Sequence, residues 1–143
     1  MADFKRLTDT MLASGQIAPE DVAEAAKAGV TLIINNRPDG EAPGQPTGAE
    51  IQAAARQHGI AYKSIPVSSA GFSLPQVDEM RSALASTRGT ALAFCRSGTR
   101  STFLWSMAQA KDGRDIETVA AEARRAGYDI SSIRPTMDLL SKA

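Results

Sequence analysis

The chain has one cysteine, Cys95, which ends the apolar run Ala91-Leu92-Ala93-Phe94 and is followed by Arg96-Ser97-Gly98-Thr99-Arg100-Ser101. A thiol leading into arginines, hydroxyls and a glycine suits a site that faces an anion. If the apolar run is a strand and a helix begins near Gly98, the loop between them aims several backbone N–H groups at one point. The positive end of the helix then lies behind them. Gly98 permits a backbone angle or close approach that a side chain would block. Arg100 offers a planar fork for two anion oxygens, and Arg96, Ser97 and Thr99 complete the candidate anion- or substrate-binding set. The same field favours negative charge on the Cys95 sulfur, and Ser101 is placed to donate to that sulfur or to a leaving thiolate. A lone cysteine after an apolar strand is by default a small core residue. A core residue has no need of the polar, glycine-containing run that follows this one. Phosphate ester hydrolysis and sulfur transfer both fit such a site.

The flanking punctuation supplies the elements that must hold it. Pro19-Glu20-Asp21 opens a helix with proline in its first turn, and Gly29 closes it. Val30 to Asn35 is a compact β-branched run, read as a buried strand. Asn36 to Pro46, with three prolines and two glycines, is a long loop of the kind that often lines sites. Thr47-Gly48-Ala49-Glu50 matches a capping box for a helix running to about Gln57. Ala61 to Val67 reads as the next strand, with Pro66 near its end. Ser73-Leu74-Pro75-Gln76 opens a helix to about Ser86, Thr90 to Phe94 is a short buried strand, and a helix runs from near Gly98 to about Lys111. Asp115 caps a further helix closed by Gly127, and a last one includes Pro135 to Ser141. A short strand near Arg6 or Ala13 adds an edge. Alternating strands and helices imply a three-layer α/β fold, with a mostly parallel sheet flanked by helices. Ligands of such sheets sit beyond the carboxyl ends of the strands. That rule gathers Asn35-Asn36-Arg37, Ser68-Ser69 and Cys95 to Arg100 around one crevice.

The 143 residues suit a single domain, 1–143, with a core of its own. Sixteen basic residues balance sixteen acidic ones, so no polyanion is implied as a partner and any basic site is local. The expected partner is a small anionic substrate, with a protein substrate also open and neither nucleic acid nor membrane expected. The first ten residues are too interrupted by charge for a secretory signal, and one free thiol fits a reducing compartment. Both place the chain in the cytoplasm. One histidine, His58, and one cysteine make no credible metal ligand set. His58 reads as a helix-end residue, and no cofactor is expected.

Cys95-Arg96-Ser97-Gly98-Thr99-Arg100-Ser101 resembles the signature loop of cysteine-based phosphatases, with four residues rather than five between cysteine and arginine. Nearly the whole chain resembles a small bacterial phosphatase-like domain that is also found fused to beta-lactamase-like metallohydrolases. The resemblance runs through Thr31 to Glu41, Ile65 to Val67, the cysteine loop, Trp105, and Ala126-Gly127-Tyr128-Asp129-Ile130. It implies the dual-specificity phosphatase fold, with Cys95 as nucleophile, Arg100 as anion ligand and the intervening amides as the cradle. Tyr128-Asp129 enters through this resemblance alone, without a chemical role. The chain departs from the phosphatases in carrying Phe94 where they have histidine. It also has Ser68-Ser69-Ala70-Gly71 where they carry the acid that protonates the leaving alkoxide. Asp39 or Glu41 in the long loop is the candidate substitute, with Asp78 on its helix a weaker one. The short loop is also similar to that of single-domain rhodaneses, which carry a persulfide and need no general acid. The resemblance thus implies a hydrolase working through a Cys95 thiophosphate, with a sulfurtransferase carrying a persulfide on Cys95 as the alternative. A catalytically weak anion- or partner-binding relic is the third reading. Arg37 is either a second anion contact or an ion pair fixing the long loop, and Trp105 is read as core.

Overall fold

A computed structural model describes residues 3–142. The elements run in the order β1 (Lys5–Thr8), β2 (Met11–Ser14), α1 (Asp21–Lys27), β3 (Val30–Asn35), α2 (Gly48–Gln57), β4 (Ala61–Ser64), α3 (Leu74–Ser86), β5 (Thr90–Phe94), α4 (Thr99–Lys111), α5 (Ile116–Arg125) and α6 (Arg134–Ser141), the last preceded by a 3-10 turn at Ser131–Ile133. The five strands form one sheet in the order β1-β2-β5-β3-β4, parallel except for the β1–β2 pair.

Period-two alternation divides the core into two layers. Leu12, Ile33, Leu92 and Phe94 face α1 and α2 through Val22, Ala25, Ile51 and Ala55. Met11, Ala13, Leu32, Ile34, Ala91 and Ala93 face the layer that contains α3, α4, α5 and α6. Ala91 and Ala93 leave room on that face for α4, the helix that follows the cysteine loop. Helix α4 buries Ser101, Thr102, Leu104, Trp105, Ser106, Met107, Ala108 and Ala110. Trp105 is 2% exposed and belongs to this core; truncating such a side chain costs about 3–5 kcal/mol. The loop is therefore mounted between the central strand and a helix that is buried on most of its faces.

Register then aligns the strand ends. Ser14 pairs with Phe94, Phe94 with Asn35, and Asn35 with Ser64, so four parallel strands finish on one row. The segments leaving that row lie side by side and are stitched by backbone bonds. Cys95 N donates to Ser14 O (3.2 Å), Asn36 N to Phe94 O (2.8 Å), and Val67 N to Asn36 O (2.9 Å).

Four expectations change. Strand β4 stops at Ser64 rather than Val67. Proline lacks an N–H, so Pro66 interrupts the ladder, although Ile65 N still reaches Asn35 O (2.9 Å). Arg6 and Ala13 lie in two paired strands rather than one, and β2 is inside the sheet. Pro19 precedes Glu20, the N-cap of α1, instead of sitting in the first turn. Thr47 accepts from Glu50 N (3.1 Å), but the Glu50 carboxylate accepts from the Thr47 hydroxyl, so that box is only half formed. The full box occurs at Ser73 and Gln76.

Candidate active site

Cys95 is fully buried directly after β5. Its sulfur accepts a hydrogen bond from Gly98 N at 3.1 Å, across the turn of the loop. Gly98 is the N-cap of α4 with φ of 91°, a left-handed backbone that a glycine adopts without strain. A Cβ added there would overlap the Tyr128 hydroxyl. The carbonyls of the loop are tied on its outer side. Gln16 N donates to Arg96 O (3.3 Å), and Tyr128 Oη donates to Ser97 O (3.2 Å). Gly15 runs so close beneath that a Cβ would lie 3.0 Å from Arg96 O. Arg96 and Ser97 are exposed at the rim, and Ser97 Oγ and Thr99 Oγ1 bond to each other at 3.0 Å.

Arg100 is the best-constrained side chain of the site. Its Nη1 donates to Glu41 Oε2 (2.8 Å) and to Val67 O (2.6 Å), and its Nη2 donates to Glu41 Oε1 (2.8 Å). A guanidinium has five N–H donors, so the Nε hydrogen and one Nη2 hydrogen remain. These two lie side by side on one edge and form a second fork. The hydrogen bonds from Glu41 are the largest cause of a raised basicity at Arg100; burial opposes them, and the nearby Cys95 sulfur and the Glu41 charge add to them. Among the described residues no geometric hydrogen bond engages that second edge, and the arginine is close enough to the Cys95 sulfur for the two to interact electrostatically.

Glu41 is bound by Arg100 and also by Arg37 Nε at 2.8 Å. The Arg100 hydrogen bond is the largest cause, and the Arg37 bond a further one, of a pKa lowered to about 2 against a partial opposing effect of burial. Arg37 is only 6% exposed, and its Nη1 donates to Gln16 Oε1 (3.1 Å). It is thus placed as the loop-fixing ion pair. Asp39 caps α2 by accepting from Gly48 N at 2.8 Å. Asp78 is ion-paired to Lys111 and Arg81 on the α3–α4 surface, which lowers its pKa, the Lys111 bond contributing most. Among the described residues, neither it nor Asp39 bonds to the cysteine loop.

Ser101 is fully buried, and its Oγ has no hydrogen-bond partner among the described residues. The neighbouring hydroxyls behave differently. Thr102 Oγ1 bonds back to Gly98 O and Ser106 Oγ to Thr102 O, each at 2.8 Å. Asn36 Oδ1 is likewise buried without a partner among the described residues, while its Nδ2 donates to Ile65 O (2.9 Å). Burial is the largest cause of a raised pKa at Tyr128, with the charges of Cys95 and Asp3 adding to it, so its hydroxyl stays a donor through neutral pH.

Sequence reasoning brought Cys95, Arg96, Ser97, Gly98, Thr99, Arg100, Ser101, Arg37 and Glu41 to this edge. It did not foresee the clamp made by Glu41, nor the roles of Gln16, Val67 O and Tyr128. The sole advance sign of Tyr128 was its place in the Ala126–Ile130 resemblance.

A buried cysteine at the end of a central parallel strand, a glycine-turned loop and a clamped arginine at the start of the next helix define the class of cysteine-loop phosphatase folds. Solved structures agree on the fold. A protein called Tk-PTP aligns over 97% of this chain and 96% of its own, with TM-score 0.76 at 17% identity. PTPMT1 gives 0.71 at 13% identity, over 98% and 97% of the two chains. A Neisseria meningitidis protein provisionally described as a phosphatase gives 0.83 at 28% identity over 95% and 96%. More narrowly, residues 3–112 match the phosphatase-like domain of beta-lactamase hydrolase-like proteins, and the chain belongs to that family. Beta-lactamase hydrolase-like proteins of Xylella fastidiosa and Agrobacterium fabrum are 35% and 31% identical, over 87% and 96% of this chain. The chain spans only 29% and 32% of those relatives' length.

Proposed function

We propose that the chain is a phosphatase-like hydrolase that acts on phosphate monoesters with good leaving groups, through a covalent intermediate on Cys95. The observation that carries this reading is the free Nε/Nη2 fork of Arg100, held by Glu41 and Val67 O beside a sulfur that already accepts from Gly98 N. Two phosphoryl oxygens fit that fork, and loop amides take the third. The Cys95 thiolate attacks phosphorus, the S–P bond forms as the ester P–O bond breaks, and the leaving oxygen departs with the bonding pair. Water then attacks phosphorus, inorganic phosphate is released, and the thiolate is regenerated. Ser101 Oγ–H, unpaired in a buried site, is the donor suited to stabilise the sulfur as it leaves.

Proton delivery sets the substrate limit. Glu41 is ionised and serves as a positioning residue for Arg100, so it has no proton to give at neutral pH. Asp39 is engaged as a cap, and Ser68-Ser69-Ala70-Gly71 carries no acid. Aryl phosphates whose phenolate leaves unaided are favoured over alkyl phosphates, for which a missing general acid costs a factor of about 10²–10⁴.

That same vacancy favours a second reading, sulfur transfer. Cys95 attacks a sulfane sulfur of thiosulfate, sulfite leaves with the S–S bonding pair, and the persulfide passes to an acceptor thiolate. No alkoxide is involved. The test treats wild type and Cys95→Ser with an activated aryl phosphate while intact mass is recorded after thiosulfate. Cysteine-dependent phosphate release supports the hydrolase. Gain of one sulfur atom without phosphate release replaces it with the transferase, and neither result, with inorganic phosphate still bound, leaves an anion-binding relic.

A further inference from the structure

In the proposed reaction the anion sits on the concave side of the loop, yet two of the loop's carbonyls are held by partners from other segments. Ser97 O accepts from the Tyr128 hydroxyl, while the N–H of the same peptide unit, on Gly98, donates to Cys95 Sγ. A trans peptide is planar, and its C=O and N–H point in opposite directions. Fixing the carbonyl outward therefore fixes the amide inward. Hydrogen bonds at both ends of one peptide also polarise it cooperatively.

We propose that Tyr128 is a positioning residue of the reaction at Cys95, acting through the Ser97–Gly98 peptide to hold the Gly98 amide on the sulfur and, during turnover, on the bound anion. It touches the loop backbone rather than the sulfur. Three observations support a specific fit over chance packing. The phenol is close enough that any side chain at residue 98 would overlap it. Its acceptor is a carbonyl in the middle of the loop rather than at either end. Its other end belongs to the segment after α5, which is otherwise remote from the loop in sequence. Gln16 N performs the same service for the preceding peptide by holding Arg96 O, but through backbone, so no side-chain substitution removes it. Tyr128 is the part of the clasp that mutation can open.

The proposal rests on Cys95 being the reacting group and is indifferent to which reaction it performs. The test is the pH dependence of Cys95 alkylation by iodoacetamide in wild type, Tyr128→Phe and Tyr128→Leu, with melting temperature and inorganic phosphate affinity measured alongside. The charged and titratable groups that act on the sulfur are Arg100 from α4 and Tyr128 itself; Glu41 acts through Arg100, and Asp3 lies near the phenol. None is altered by the Phe variant except the phenol. The expected result is a midpoint for Tyr128→Phe raised by about half to one pH unit. Phosphate binding weakens about three- to tenfold, while the melting temperature moves by no more than about 4 °C. Tyr128→Leu should show a similar midpoint and a larger thermal loss. A Phe profile that superposes on wild type overturns the proposal. So does a shift seen in the Leu variant alone, which would assign the effect to ring packing. Failure of the hydrolase reading looks different, because wild type would alkylate normally yet release no phosphate in a Cys95-dependent way.

Discussion

Two loops leave the same edge of the sheet, and they are built in opposite ways. The 36–47 segment is densely bonded: Arg37 N to Asn35 Oδ1, Gln45 Nε2 to Pro38 O, Glu41 N to Gln45 Oε1, Asp39 on the α2 N-terminus, and Glu41 on two arginines. The 65–73 segment is pinned at its ends, by buried Val67 and by Phe72 in a tilted ring contact with Phe103 (centroids 6.2 Å apart), but its crown at Ser68 to Gly71 is exposed, locally bonded and acid-free. The first loop fixes Arg100, the anion ligand of the proposed reaction. The second is where an acid would protonate a leaving group, and it offers none. In the proposed reaction the difference separates anion recognition from proton delivery, and the predictions test each side.

The largest effect belongs to the proposed nucleophile. Cys95→Ser abolishes aryl phosphate turnover, by about 10⁴-fold or more in initial-rate assays. Next is Arg100→Lys, which keeps the charge but loses the fork. The expected fall in kcat/KM is about 10²–10³-fold, and an unchanged value would dissolve the clamp. Opening the clamp from the other side, Glu41→Gln lowers kcat/KM about tenfold. The same pair sets an acid limit. The folded carboxyl titrates near 2 against an ordinary value of 4.5, so its stabilisation is present above about 4.5 and is lost as pH falls through about 2. Urea unfolding of wild type and Glu41→Gln should therefore converge as pH is lowered across that window.

The acid-free crown can be sharpened by gain instead of loss. Ser69→Asp raises turnover of an alkyl phosphate by about tenfold relative to an activated aryl phosphate, read as the ratio of the two rates. No change in that ratio would mean that the crown does not reach the leaving group. The smallest effect is on stability at Ser101. Ser101→Ala removes an unpaired buried hydroxyl and should leave unfolding free energy within about 1 kcal/mol of wild type while turnover falls. Thr102→Val breaks the bond to Gly98 O and destabilises by about 1 kcal/mol.

Much of this architecture was legible beforehand because its signals are local. The β-branched run Val30–Asn35, the apolar run Thr90–Phe94 and the glycine before Thr99 each mark an element by composition within a few residues. Strands β1 and β2 were harder, since four residues each, Lys-Arg-Leu-Thr and Met-Leu-Ala-Ser, become strands by pairing with one another and with distant β5. In the site, Cys95 and Arg100 were readable because strand, loop and helix place them by themselves. Glu41 was read as a possible acid, but whether a carboxyl gives or withholds a proton depends on its neighbours, and the one that contributes most, Arg100, is 59 positions away. Gln16 and Tyr128 act on backbone atoms of a remote loop, an interaction that no residue pattern encodes.

The central claim is that Cys95 takes up phosphorus in the fork that Glu41 leaves open. Rapid acid quenching during turnover of an activated aryl phosphate, followed by peptide mass spectrometry, tests it directly. One phosphoryl group is expected on the peptide carrying Cys95, present in wild type, sharply reduced in Arg100→Lys and absent in Cys95→Ser. Phosphate release at wild-type rate with no phosphoryl group on Cys95, or with the group on another residue, would contradict it.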